Sequence, residues 1–458
     1  MDAYSRAAAY AKDLLEVFDL SETELIKAGQ FDPHPVAWQK SGLQSLTGQT
    51  GLLFPVDLTC AADGALLALK SLVPVKAAEL PQNGIQLAGE RHHLLGLNGR
   101  GLVSANGYTY IFEAADGRFA LSLTRQEDID ILPALTFGTF EGCDDHQLHN
   151  RDHWLPDLRE IFKTMPIDQL VQQGIACGVP IASYETSSPG NLAGAWCTLH
   201  HRPSRAIKRP RTQPLVLDFT SLWAGPLAGS LLVDIGATVI KVESSDRPDG
   251  SRNGNQTFYD LMNGGKLNLA LDFKDAEDLD MLTRLVDQAD IILEGSRPRA
   301  LKQLGLDAET LVNKTAGKTW VSITAHGRYG DNANRIGFGD DISVEAGLPA
   351  IMEHCHGSPC FVGDAIADPF TGLHAAFAAY AGYLSGGGLI DLPMVNVLKY
   401  ALKTGHLLGM NEKDMDLESR AIPYPPRRVK NQAGATGADT TLIREGLAKG
   451  RLDAHTAG

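Results

Sequence analysis

Two carboxylates four residues apart, Asp364 and Asp368, stand in the stretch Gly363-Asp-Ala-Ile-Ala-Asp-Pro-Phe-Thr-Gly372. An alanine-rich run follows, Leu373-His-Ala-Ala-Phe-Ala-Ala-Tyr-Ala-Gly-Tyr-Leu384, and reads as a helix. Pro369 suits a first helical turn, so Asp368 is placed like an N-cap. The positive end of a helix favours an ionised carboxylate, and an ionised carboxylate can attack an electrophile. Capping alone also accounts for an aspartate at such a position.

The elements that must carry this helix lie upstream. Leu215-Val-Leu-Asp-Phe219 is a short, mostly apolar strand. Ala224-Gly-Pro226 opens a helix that contains Leu231-Leu-Val-Asp-Ile235, and Val239-Ile-Lys-Val-Glu243 is a second strand. Strand, helix, strand is the unit of a parallel sheet. Further strands are predicted at 267–271, 291–294 and 320–324, with helices between. The alternation predicts an α/β fold, a doubly wound parallel-sheet domain over 214–400 whose ligands bind at strand ends. The turn after the first strand lacks GxGxxG, which weakens a dinucleotide reading.

Before residue 214 the texture differs. Residues 1 to about 34 read as helix, and a second helix is centred on 63–72. Residues 100–124 alternate apolar and polar types between glycine turns and read as strands, and 150–175 read as helix, together a smaller α+β domain. The basic segment ending at Arg211 reads as a linker at 206–213, and 401–458 as a C-terminal tail. One echo stands out. Ser41-Gly-Leu43, Cys60 and Gly64 repeat the order of Ala346-Gly-Leu348, Asp368 and Gly372, each ahead of an alanine-rich helix. Residues 1–205 therefore read as a truncated first copy, with Cys60 where the second copy has Asp368.

The chain has 458 residues, a net charge of −14 and 43% hydrophobic content, which suits a globular protein and argues against a nucleic-acid or membrane-surface role. No apolar run reaches the ~18 residues of a membrane span, and Met1-Asp-Ala-Tyr-Ser-Arg6 lacks a signal-peptide order. Six cysteines in so long a chain do not form a disulfide scaffold, so a cytoplasmic location is expected. His354-Cys355-His356 with Cys360 has no second ligand pair, so no metal is expected. Gly386-Gly-Gly388 lacks the Lys-Ser/Thr of a phosphate loop and reads as a helix stop.

Residues 213–400 resemble the class III CoA-transferases, the family of formyl-CoA and carnitine CoA-transferases. The resemblance rests on Val216-Leu-Asp-Phe-Thr-Ser-Leu-Trp-Ala-Gly-Pro226, Asp234-Ile-Gly-Ala-Thr-Val-Ile-Lys-Val-Glu243, Asn263-Gly-Gly-Lys-Leu-Asn-Leu-Ala-Leu-Asp272, Glu294-Gly-Ser-Arg-Pro-Arg299 and Val362-Gly-Asp-Ala-Ile-Ala-Asp-Pro-Phe-Thr-Gly372, in that order. Residues 35 to about 185 resemble the family's later portion, so the two parts stand in reversed and partly duplicated order.

The resemblance implies transfer of coenzyme A between an acyl-CoA and a carboxylic acid. Asp368 would be the nucleophile, passing through an aspartyl anhydride and an aspartyl-CoA thioester. It also implies that the turn carrying Trp223, Ala224 and Gly225 contacts CoA at a helix N-terminus. Lys266, Arg297 and Arg299 would pair with its phosphates, and Arg247 and Arg252 are further candidates. Gly264 and Gly265 depart from the family, which often has an arginine or another bulky residue there. A homodimer is the family's habit, and the rearrangement bears on it.

Two other functions stay open. A racemase of acyl-CoA needs two acid/base groups, and Gly337-Phe-Gly-Asp-Asp341 lacks the histidine of the related racemase's Gly-His-Asp. A non-catalytic acyl-CoA-binding member is the other.

Overall fold

Strands buried on both faces need nearly unbroken apolar runs, and the second half of the chain supplies them. The computed structural model describes residues 1–27, 31–142, 151–186, 194–200, 213–405, 407–408 and 422–449. The predicted linker lies outside the described residues except for Gln213. In chain order the strands are β1 (Thr109–Ala114), β2 (Gly117–Ser122), β3 (Ile181–Ser183), β4 (Thr198–His200), β5 (Leu215–Phe219), β6 (Thr238–Ser244), β7 (Leu267–Leu271), β8 (Ile291–Glu294), β9 (Thr319–Thr324) and β10 (Gly388–Pro393).

The main sheet has the order β4-β10-β9-β8-β5-β6-β7. All its pairs are parallel except the edge pair β10–β4. After the edge strand β4, the parallel part begins at β5, moves outward through β6 and β7, then returns to β8 on the other side of β5. Loops after β5 and β8 therefore diverge to opposite faces and leave a crevice at the strand ends. The sheet is the doubly wound α/β fold the sequence implies. Strand β10 escaped prediction because its apolar run, Leu389-Ile-Asp-Leu392, is short and follows three glycines. Gly386 and Gly387 have φ of 101° and 87° and turn the chain from the preceding helix into β10.

Among the described residues of 1–205, the helices divide between two cores. The helices Ala3–Glu16 and Thr59–Leu72 bury Leu14, Leu15, Leu66 and Leu69 in the same core as Leu227, Leu231, Phe370 and Leu373. They are a layer of the main domain. The smaller α+β unit is the antiparallel sheet β1-β2-β3 with the helices Arg151–Phe162 and Ile167–Cys177. Its own core is aromatic: Phe112, Phe119 and Phe162 meet at ring distances of 5.0–5.6 Å.

The internal echo extends to packing. Cys60 and Asp368 are each the second residue of a helix, Thr59–Leu72 and Ala367–Leu384. A Cβ on Gly64 would meet Ala7 O at 2.8 Å, in the helix Ala3–Glu16. One on Gly372 would meet Ala224 O at 2.7 Å, in the helix Ala224–Asp234. Both glycines thus permit the same close helix–helix approach. The C-terminal tail closes the exposed edge of β7: Asn268 N donates to Asp439 Oδ2 at 2.7 Å and Ala270 N to Thr440 Oγ1 at 3.2 Å. No described helix is long and apolar enough to cross a membrane.

Candidate active site

Between Cys360 and Ala379 every residue is buried but one, Asp368. It opens into a cleft of about 160 Å³ at the crevice of the sheet. Thr220 and Ser221 after β5, Gly295, Ser296 and Arg297 after β8, and Thr324 and Ala325 at the end of β9 line this cleft, with Ala224, Gly225, Phe338 and Met394.

The N-cap reading of Asp368 is corrected. Ile366 already has helical φ and ψ and is the cap, so Asp368 is the second residue of the helix. Its carboxylate accepts from the Gly339 backbone N–H rather than closing its own helix end. Nor does the helix end decide its charge. Removal from water, then the neighbouring charge of Asp340, push the Asp368 carboxyl up to about 7, against a smaller opposing effect of Arg91.

Asp368 heads an acidic cluster. Asp340, on the helix Gly339–Glu345, accepts from Ala365 N at 2.8 Å and from Asn106 Nδ2 at 2.6 Å. The same Asn106 Nδ2 donates to Asp364 Oδ1 at 3.0 Å. Arg91 Nη1 lies 3.3 Å from Asp364 Oδ2. Its guanidinium also stacks over Trp223, 5.2 Å from the ring centroid. Burial, then repulsion by Asp364, raises Asp340 to about 6, and burial raises Asp364 as well. Asp341 points the other way, to Ser122 Oγ at 2.7 Å in β2, and burial raises it to about 8.

The turn into the helix Ala224–Asp234 is held by buried charge. Lys241 Nζ donates to Thr220 O at 3.0 Å and pairs with Asp249 at 2.8 Å. Asp249 Oδ1 in turn accepts from Leu222 N at 3.1 Å. Leu222 has φ of +68°, a strained value for a β-carbon residue, and these bonds fix it at the cleft rim.

The predicted CoA contacts separate into two groups. Ala224, Gly225 and Arg297 line the cleft. Trp223 does not: its buried ring packs edge-on against Phe258, with Arg91 above. Arg299 is exposed on the helix Pro298–Gln303, off the cleft wall. Lys266 is withdrawn from the phosphate set, because its ammonium is buried and bonded to Asp218 at 2.7 Å, Pro226 O at 3.0 Å and Asn263 at 3.0 Å. Arg252 is likewise committed, to Glu243 and Asn268. Lys266→Met would strand the Asp218 charge in the interior, at a cost of about 3–5 kcal/mol. The expected result is a melting temperature lower by several degrees with an unchanged KM for acyl-CoA in the folded enzyme.

Cys60, the counterpart of Asp368, is buried. Its Sγ lies 3.1 Å from Asp57 O and burial pushes the thiol up, so it stays protonated and inert. Among the described residues no group of three His, Cys, Asp or Glu side chains could hold a metal ion. Sequence reading missed Arg91, Asn106 and Gly339 as parts of the site, since no local motif marks them.

Residues 213–404 match CoA-transferase family III. A probable fatty acyl-CoA transferase of Mycobacterium tuberculosis is 32% identical over 236 residues, 48% of this chain and 58% of the relative. The human succinyl-CoA:glutarate CoA-transferase is 29% identical over 269 residues, 55% of this chain and 61% of the relative. A succinyl-CoA--D-citramalate CoA-transferase of Chloroflexus aurantiacus is 30% identical over 274 residues, 55% of this chain and 68% of the relative. The chain thus spans about three fifths of the first curated relatives it matches. Asp368, its helix and the sheet crevice all fall inside the matched region, and with an identity of 30% sustained over two thirds of a relative, the chain belongs to CoA-transferase family III.

Proposed function

We propose that the chain transfers coenzyme A between an acyl-CoA and a carboxylic acid, with Asp368 as the nucleophile. The observation that carries this reading is the isolation of Asp368, the one open side chain in a buried run of about twenty residues, aimed into the switch-point crevice. The Asp368 carboxylate attacks the thioester carbonyl, the C–S bond breaks, and CoA leaves as the thiolate. The product is a mixed anhydride on Asp368. The thiolate then attacks the aspartyl carbonyl, freeing the donor acid and leaving an aspartyl-CoA thioester. The acceptor carboxylate attacks that thioester and expels the thiolate, which attacks the acyl carbonyl of the new anhydride to release the new acyl-CoA and restore Asp368.

An anhydride must be kept from bulk water, and the narrow cleft suits that need. Its volume is below the ~300 Å³ of a typical small-molecule pocket, so it takes the acyl and thioester portion while the nucleotide portion lies outside it. Ala224 and Gly225 offer backbone N–H groups at a helix start, and Arg297 offers a guanidinium, to the anionic parts of the substrates.

The test is to incubate the protein with a panel of acyl-CoA thioesters, quench with hydroxylamine, and map the modified peptide by mass. A hydroxamate on Asp368 is expected. Release of CoA with no adduct at Asp368 under any acyl-CoA would remove Asp368 from the reaction, and the absence of both would leave an acyl-CoA-binding protein.

A further inference from the structure

Four carboxylates, Asp340, Asp341, Asp364 and Asp368, meet where two segments of the second half approach the first half of the chain. Asp341 is turned toward Ser122, so three of them share one region. The first half answers with one cation and one amide, Arg91 and Asn106, 277 and 262 residues before Asp368. Arg91 touches Asp364, and Asn106 spends its amide donor on both Asp340 and Asp364. Neither residue lines the cleft.

We propose that Arg91 and Asp340 are opposed positioning residues that set whether Asp368 stands as a carboxylate, with Asn106 and Asp364 linking the two. The proposal rests on the nucleophile reading of Asp368. Like charges in a low-dielectric region cannot all ionise together, so a proton stays within the cluster at neutral pH. Arg91 favours the ionised form of Asp368, and the charge of Asp340 opposes it. Among the described residues, the other charged groups lining the cleft are Arg297, and Arg335, which is paired with Glu345 at 2.8 Å. His374, further along the same helix, is buried and held low, at about 4, facing Tyr10 at 2.8 Å, so it adds no charge near neutrality. Glu90, next to Arg91, is neutralised by Arg427 at 2.7 Å.

The family match ends at residue 404 and begins at 213, yet the charge balance of its central aspartate is completed by residues 91 and 106 of the same chain. The first half is therefore part of the chemistry through Arg91, even though its own copy of the nucleophile position holds Cys60.

The experiment compares pH profiles of kcat/KM for the full chain and for Arg91→Gln, Arg91→Lys and Asp340→Asn. Loss of Arg91 should move the acid limb to higher pH by about one unit, with activity recovered on the alkaline plateau. Arg91→Lys should return the limb toward its original position. Asp340→Asn should move it to lower pH by a similar amount. Limbs that move in the same direction, or that stay put while kcat falls at every pH, would overturn the proposal, because structural damage gives no opposed shifts. The midpoint of carbodiimide labelling at Asp368, read by peptide mass, gives the same comparison without turnover. Opposed midpoints in an inactive protein would sink the transfer reading and leave this one standing.

Discussion

Asp368→Asn should abolish transfer and yet raise thermal stability above neutral pH. The loss of turnover follows from covalent chemistry. Without a nucleophilic carboxylate neither the anhydride nor the aspartyl thioester can form, and the rate should fall by at least about 10³-fold. The gain in stability follows from proton linkage. The Asp368 carboxyl binds its proton more tightly in the folded chain, at about 7, than an unfolded aspartate at about 4. For such a group the folded state is relatively favoured below the unfolded value. That advantage is lost as pH rises through the folded one, and above it the penalty is constant. The penalty is on the order of 2–4 kcal/mol. Asparagine carries no such charge, and its side-chain oxygen can still accept from Gly339 N. Thermal denaturation at pH 5 and pH 8 checks this: the variant should exceed the parent at pH 8 and approach it at pH 5. A variant that melts lower at pH 8 would mean that Asp368 serves as a structural cap, and transfer within tenfold of the parent would dismiss it as nucleophile.

The sheet was legible in the sequence because burial on both faces writes itself as local apolar runs. Leu215-Val-Leu, Ile291-Ile-Leu and Val321 onward need no distant information. Lys266 shows what a more careful local reading could have caught. Asp218 is buried in a strand after the buried Leu215, Val216 and Leu217, and a charge in that setting requires a partner. A lysine just before β7, after Gly264-Gly265, was the available counterion, so phosphate binding was the less economical use of it. The helix start was read two residues too late because Ile366 takes up helical geometry without any polar signal to announce it. Arg91 and Asn106 belong to another class of information. Their role depends on how residues hundreds apart are brought together, and no periodicity or spacing reports that.

Gly339→Ala should cost about 10²-fold in kcat for a stability loss of only about 1–3 kcal/mol. No unusual backbone angle makes this glycine necessary. Its need is space: a Cβ there would stand 2.3 Å from Asp368 Oδ2 and 2.3 Å from Ala365 O. The second contact is backbone on backbone, so no side-chain rotation relieves it. The helix Gly339–Glu345 would have to withdraw from the loop before Asp368. That withdrawal lengthens two bonds together, Gly339 N to the Asp368 carboxylate and Ala365 N to Asp340 Oδ1, now 2.8 Å. Displacing a nucleophile by a fraction of an ångström from its attack geometry is enough for the rate loss. Gly372→Ala is the matching control. Its Cβ would meet Ala224 O at 2.7 Å and Leu227 at 2.8 Å, one turn beyond Asp368 and away from the carboxylates. Both variants should melt lower, but at a temperature where both are fully folded only Gly339→Ala should lose most of its kcat. Equal loss in the two would place the effect in general loosening of the helix Ala367–Leu384, whereas loss confined to Gly339 locates it in the few atoms that hold the Asp368 carboxylate against the cleft.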